Sequence, residues 1–101
     1  MIFAGLQPWL QPYAIALYRA WPYAQVTSVR RSSSEQARLY AAFLRGESRY
    51  PAAPPGHSLH ELGRAWDMVA PAAILEQFGL LWESWGGRWG GRFGDPIHFE
   101  A

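Results

Sequence analysis

Eight prolines and ten glycines punctuate a chain of 101 residues, and their positions limit every element to a short one. Proline is not accommodated inside a helix or a central strand, and glycine weakens both. Pro8 and Pro12 stand near the start of a helical pattern over residues 9–20, where proline is tolerated; Leu10, Tyr13, Ala14, Leu17 and Tyr18 share its spacing, and Pro22 ends it. Val26 to Val29 reads as a short strand. Ser32-Ser33-Ser34 offers an N-cap for a second helix, with Glu35 in its first turn, Ala37, Tyr40, Ala41 and Leu44 on one face, and Gly46 at its close. Three prolines make residues 50–57 a loop. Residues 65–69 alternate around Asp67 as a strand. Pro71 opens a third helix through Ile74, Leu75 and Phe78, with a stop expected near Gly79. The glycines from Gly86 to Gly94 predict turns, and Ile97 to Glu100 a last strand. The chain is too short for repeated crossover units, so the expected architecture is one α+β domain over residues 1–101, a small antiparallel sheet packed with about three helices.

Composition removes several classes of function. Half the residues are apolar, too many for a disordered segment. Nine arginines and no lysine face eight acidic residues, for a net charge of +1, which makes no electrostatic case for nucleic acid or a membrane surface. With no cysteine, disulfides, thiolate metal sites and cysteine nucleophiles are excluded. Any metal must be held by histidine and carboxylate. The N-terminal segment has no basic region, and Gln7, Pro8, Gln11 and Pro12 interrupt its apolar run, so no signal peptide or membrane insertion is expected.

Three segments can bring such ligands together. Along a strand over 65–69, Ala65, Asp67 and Val69 share one face, and Trp66 and Met68 the other. Gly63 permits a bend, so His60 can stand on a loop beside that strand. In the last strand His98 and Glu100 share a face, opposite Ile97 and Phe99, and Pro96 keeps Asp95 extended close to His98. His60, Asp67 and His98 can thus form a His-Asp-His metal set with Asp95 beside it. Two histidines and a carboxylate leave a tetrahedral zinc one open position for water, whose pKa falls to about 7. A neighbouring carboxylate can then act as general base.

These residues carry a resemblance. Ser58-x-His60-x-x-Gly63-x-Ala65-x-Asp67, followed by Asp95-x-x-His98-Phe99-Glu100, resembles the zinc D-Ala-D-Ala carboxypeptidase family, which includes VanY-type carboxypeptidases and phage endolysins that cut between L-alanine and D-glutamate. Thr27-Ser28-Val29-Arg30-Arg31-Ser32 is similar to the family's T-S-G-Y-R-S segment, with Gln36 on a following glutamine, and Trp85-Gly86-Gly87-Arg88-Trp89 is similar to a stretch the endolysins carry. The resemblance implies a D,D-peptidase or Hedgehog-like zinc peptidase fold. It implies Zn2+ on His60, Asp67 and His98, Asp95 as general base, and Arg31 contacting the substrate carboxylate or the scissile carbonyl. Val29 and Arg30 replace the family's Gly-Tyr, which leaves open whether Arg30 or Arg31 faces the site. The substrate implied is a peptidoglycan stem peptide, cut by a monomeric enzyme: an L-alanyl-D-glutamate endopeptidase, which the Trp85–Trp89 stretch favours, or a D,D-carboxypeptidase. The alternative is a non-catalytic phage virion or cell-wall-binding module. Made in the cytoplasm without a signal, such an enzyme would reach the wall through a phage pore.

Other polar residues have plainer readings. His57 and Glu61 are expected to face solvent, Ser58 to shape its loop or hydrogen-bond near the site, and Glu100 either to orient a ligand or to lie on the surface. Most of the six tryptophans are expected in the core, with Trp85 and Trp89 the candidates for the cleft.

Overall fold

A computed structural model describes residues 2–101. Helix α1 spans Gln11–Ala20, with Pro12 in its first turn, where a missing N–H costs nothing. Strand β1 follows at Gln25–Ser28, helix α2 at Ser33–Leu44, strand β2 at Ala65–Val69 and helix α3 at Ala72–Ser84. Strands β3 (Arg88–Trp89) and β4 (His98–Glu100) complete the chain, with single 3-10 turns at Leu59–Leu62 and Gly90–Phe93. The four strands form one antiparallel sheet in the order β1-β2-β4-β3. The expected α+β class and the three helices are what the structure contains.

Strand alternation splits the sheet into two chemically different faces. Trp66 and Met68 of β2 and Phe99 of β4 are fully buried against Leu10, Ala14 and Leu17 at α1, and Leu75, Phe78 and Trp82 of α3. Aromatic rings lock this layer: Trp66 stacks on Phe99 at 5.6 Å and 16°, and Trp82 meets Trp66 edge-on at 5.2 Å. Such pairs add about 0.5–1.5 kcal/mol each beyond the area they bury. Asp67, His98 and Glu100 point from the opposite face.

Helix α2 starts as its sequence predicts. Ser32 Oγ accepts from the Glu35 amide at 3.2 Å, and the Glu35 carboxylate accepts from the Ser32 amide at 3.3 Å, a reciprocal capping box. Its inward face differs from the expected one. Ala37 and Leu44 are exposed, Tyr40 and Ala41 half-buried, and Gln36 is the buried residue of the helix. The helix is tied to the proline-rich loop through a polar anchor, Gln36 Nε2 donating to the Ala53 carbonyl at 2.8 Å.

Two further expectations are corrected. Helix α3 runs through Gly79 to Ser84. Gly79 is there for contact, not termination: a Cβ at this position would lie 2.1 Å from Trp89 Cδ2. The glycine-rich stretch is also more than turns, because Arg88 and Trp89 pair with Glu100 and Phe99 as β3. Glycine at 79 lets the Trp89 ring lie flat on the helix, and so lets this edge strand close onto β4. Among the described residues no helix is long and apolar enough to cross a membrane.

Gly79→Ala tests this packing. In a free helix the change gains up to about 1 kcal/mol. Here overpacking against Trp89 is expected to outweigh that gain and leave a net loss of about 1–2 kcal/mol, read as a lower urea midpoint with an unchanged slope.

Candidate metal centre

The register of β2 and β4 places Asp67 directly opposite His98, and Ser28 of β1 opposite Asp67 on its other side. His60 arrives from the 3-10 turn Leu59–Leu62, not from the irregular loop that the sequence suggests. Ser58 caps that turn, its Oγ accepting from the His60 amide at 3.3 Å. Gly63 ends it at φ +67, a left-handed conformation that glycine adopts without strain, and the chain then enters β2. A second glycine brings in the last segment: at Gly90 a Cβ would lie 2.1 Å from the Asp95 carbonyl and 2.8 Å from His98 Cβ, so the loop carrying Asp95 can close against His98.

Three candidate ligand atoms converge. Asp67 Oδ1 lies 3.2 Å from His60 Nε2 and 3.2 Å from His98 Nδ1, and all three atoms fall within 4.8 Å of one another. The outer atom of each group has its own partner. His60 Nδ1 donates to the Val29 carbonyl at 2.7 Å, and His98 Nε2 donates to Glu100 Oε1 at 2.7 Å. A carbonyl and a carboxylate can only accept, so each outer nitrogen carries the hydrogen. In the neutral rings both inner nitrogens then present lone pairs toward a carboxylate oxygen. Three electron-rich atoms at this spacing need a cation between them, or protons in its place. The donor set is that of zinc: two imidazoles, one carboxylate and no sulfur.

Arg31 secures the third candidate ligand, Asp67. Its Nη2 donates to Asp67 Oδ2 at 2.8 Å, its Nη1 to Gln36 Oε1 at 3.2 Å and its Nε to Ser28 Oγ at 2.8 Å. Arg31 is therefore the inward member of the pair, and Arg30 is exposed. Burial alone would raise the Asp67 pKa. With protons on their inner nitrogens, hydrogen bonds from His60 and His98, and then their charges, outweigh it and hold the carboxyl below the usual carboxylate range. Asp95 behaves in the opposite way. Burial first, then the charge of Asp67, push it up from 3.8 to about 6. Its Oδ1 is buried without a hydrogen-bond partner.

These groups line one open cleft of about 730 Å3, walled by residues 50–53 and by His57, Arg88 and Phe93. His57 is exposed, as expected, but on this wall. Glu61 is half-buried and structural: it accepts from the Gly56 amide at 2.9 Å and from Ser33 Oγ at 2.9 Å, tying the proline-rich loop to α2. Neither candidate tryptophan lines the cleft. Trp89 packs on Gly79 and donates to the Pro96 carbonyl at 2.9 Å, and Trp85 borders a separate small pocket with Trp9 and Tyr13. Phe93 takes the place expected of them. Sequence reasoning also missed Arg88 and the Val29 carbonyl. Strand parity would put Ser28 on the face of Val26; a register shift between the two brings it opposite Asp67 instead, and a carbonyl carries no signal in side-chain chemistry.

Solved structures share this architecture. The vancomycin-resistance D,D-pentapeptidase VanY, in complex with Zn(II), superposes with a TM-score of 0.71 at 18% identity, over 94% of this chain and 71% of that one. The vancomycin-resistance D,D-dipeptidase VanXYg, in complex with a D-Ala-D-Ala phosphinate analogue, gives 0.72 at 18%, over 94% and 49%. The LdcB LD-carboxypeptidase gives 0.70 at 20%, over 96% and 65%. No protein-family model and no curated protein matches the chain. The chain has the fold of these peptidases, as its motifs led one to expect, and spans between 49% and 71% of their lengths.

Without metal, a proton must fill the gap. Burial opposes a charge on His98, but hydrogen bonds to Asp67 and Glu100, and their charges, raise its pKa from 6.5 to about 9. The folded chain thus holds this proton more tightly than the unfolded chain, so its stabilisation is full below pH 6.5 and lost as pH rises through about 9. In EDTA the melting temperature is expected to fall across that window. Zinc replaces the proton, so saturating zinc flattens the fall and zinc affinity rises with pH. A metal-free melting temperature that climbs over the same range contradicts the proton-bridged site.

Proposed function

We propose that this chain is a zinc-dependent peptidase that hydrolyses amide bonds in the stem peptides of peptidoglycan, acting at the cell wall. One observation carries the reading: Asp95, one of whose carboxylate oxygens is buried and unpartnered, lines the same cleft as a convergent His-Asp-His set. Zinc held by His60, Asp67 and His98 would supply a water acidified to a pKa of about 7 and a Lewis acid for the scissile carbonyl. Asp95 is ionised at neutral pH yet holds a proton better than an exposed aspartate, with a pKa of about 6. It takes the proton of the attacking water and returns it to the leaving amine. A guanidinium has five N–H groups. Three hydrogen bonds orient Arg31, which leaves it two to receive a carbonyl oxygen or a carboxylate of the peptide.

Within this class a D,D-carboxypeptidase is favoured over an L-alanyl-D-glutamate endopeptidase. Two of the fold neighbours carry D,D-specificity in their names. In the Trp-Gly-Gly-Arg-Trp segment that suggested the endopeptidase, Arg88 and Trp89 form strand β3, Trp89 packs on α3, and of the five residues only Arg88 lines the cleft.

The test is mass spectrometry of stem-peptide fragments incubated with the zinc-loaded protein. Loss of a terminal D-alanine is expected. A new amine terminus at D-glutamate would transfer the reading to the endopeptidase, and sedimentation with walls but no product would support the binding module. Asp95→Asn is expected to keep its zinc and lose about 10²–10⁴-fold in turnover. Turnover at the wild-type rate in that variant would remove Asp95 from the mechanism.

A further inference from the structure

The two histidines of the metal set are oriented by different means. The main chain fixes His60, whose Nδ1 donates to a backbone carbonyl that no substitution removes. His98 depends on a side chain. We infer that Glu100, braced by Arg88, is a positioning residue that turns His98 Nδ1 toward the metal, an inference that rests on the zinc reading above.

An imidazole can present either nitrogen by rotating about its Cβ–Cγ bond, and a ligand histidine needs a partner that chooses one. Glu100 Oε1 lies 2.7 Å from His98 Nε2 and obliges that nitrogen to carry the hydrogen, which leaves the Nδ1 lone pair 3.2 Å from Asp67 Oδ1. Glu100 is itself constrained. It is 9% exposed, and its second oxygen is paired with Arg88 Nη1 at 3.2 Å. The register explains the arrangement. Glu100 is opposite Ala65 on one neighbouring strand and Arg88 on the other. The alanine methyl leaves room for the carboxylate, and the arginine reaches across the strand pair to hold it. Arg88 also lies over the Phe93 ring at 5.5 Å, and Phe93 meets the His98 ring edge-on at 6.0 Å. One exposed arginine thus braces two of the groups that meet His98, Glu100 and Phe93.

The experiment measures zinc affinity by chelator competition, and the visible spectrum of the Co(II)-substituted protein, for the full chain and three variants. Glu100→Ala is expected to weaken zinc by about 10–100-fold and to shift the Co(II) bands. Glu100→Gln, whose amide oxygen can still accept from Nε2, is expected to recover most of the affinity and the wild-type spectrum. Arg88→Ala removes a side chain that is 71% exposed, so it leaves the fold intact, and a smaller loss of affinity is expected. Wild-type affinity and spectrum in Glu100→Ala overturn the inference and leave the metal site standing. So does a Glu100→Gln variant as weak as Glu100→Ala. If Glu100→Ala does not fold, wild-type affinity and spectrum in Arg88→Ala overturn it instead. A wild-type chain that takes up neither metal overturns the zinc reading and this inference together.

Discussion

The pairing of β2 with β4 is the constraint on which the rest depends. Asp67 opposite His98 and Trp66 opposite Phe99 are consecutive rungs of one ladder, on opposite faces of the sheet. A slip of one residue would exchange the faces, sending a carboxylate into the aromatic core and a large ring into the cleft. Burial of Trp66 and Phe99 therefore does two jobs. It supplies much of the hydrophobic stabilisation available to a chain this small, and it sets the register that brings two ligands within reach of each other. Core and site are the two sides of the same strand pair.

The cost of that arrangement is a cluster of buried polar groups, and each is met by a neighbour. Val29 backbone, Arg31 and Glu100 each take the outward atom of one ligand. Gln36 links Arg31 to the loop wall at Ala53, so helix α2, the capping box and the proline-rich loop all bear on the placement of one guanidinium. Glu61 ties the same loop from the other side. The exception is Asp95, with one oxygen buried and unpaired. An unmet polar atom costs stability, and its position in the cleft is where that cost can serve chemistry.

Much of this was legible in the sequence. Periodicity and proline placement locate the three helices, because those signals are local. Strand parity puts Asp67 on one face and Trp66 on the other, and His98 with Glu100, because the two-residue period holds where the ladder is regular, as it is between β2 and β4 but not in β1, whose register shifts between Val26 and Ser28. The length of α3, the existence of β3 and the inward face of α2 were not. Gly79 reads as a stop until Trp89 is seen lying on it, and Arg88-Trp89 pairs only because β4 arrives beside it. Gln36 is the buried anchor of its helix because a distant carbonyl and a guanidinium meet it there, which no hydrophobic period reports.

By itself, then, the sequence determined the candidate ligand types, their order along the chain and the face of each strand they occupy. It excluded cysteine thiolate from any metal site and proline-bearing segments from the helix and strand interiors. Only the tertiary structure decided that Arg31 and not Arg30 turns inward, that Phe93 and not a tryptophan borders the cleft, and which nitrogen of each histidine faces Asp67. Arg31 and His60 depend on hydrogen-bond partners remote in sequence, Arg31 and Asp67 being 36 residues apart and His60 and Val29 31 residues apart, whereas Phe93 and His98 depend on near neighbours that strands β3 and β4 fold against them. Local pattern governs where a side chain starts, and tertiary contact governs where it ends.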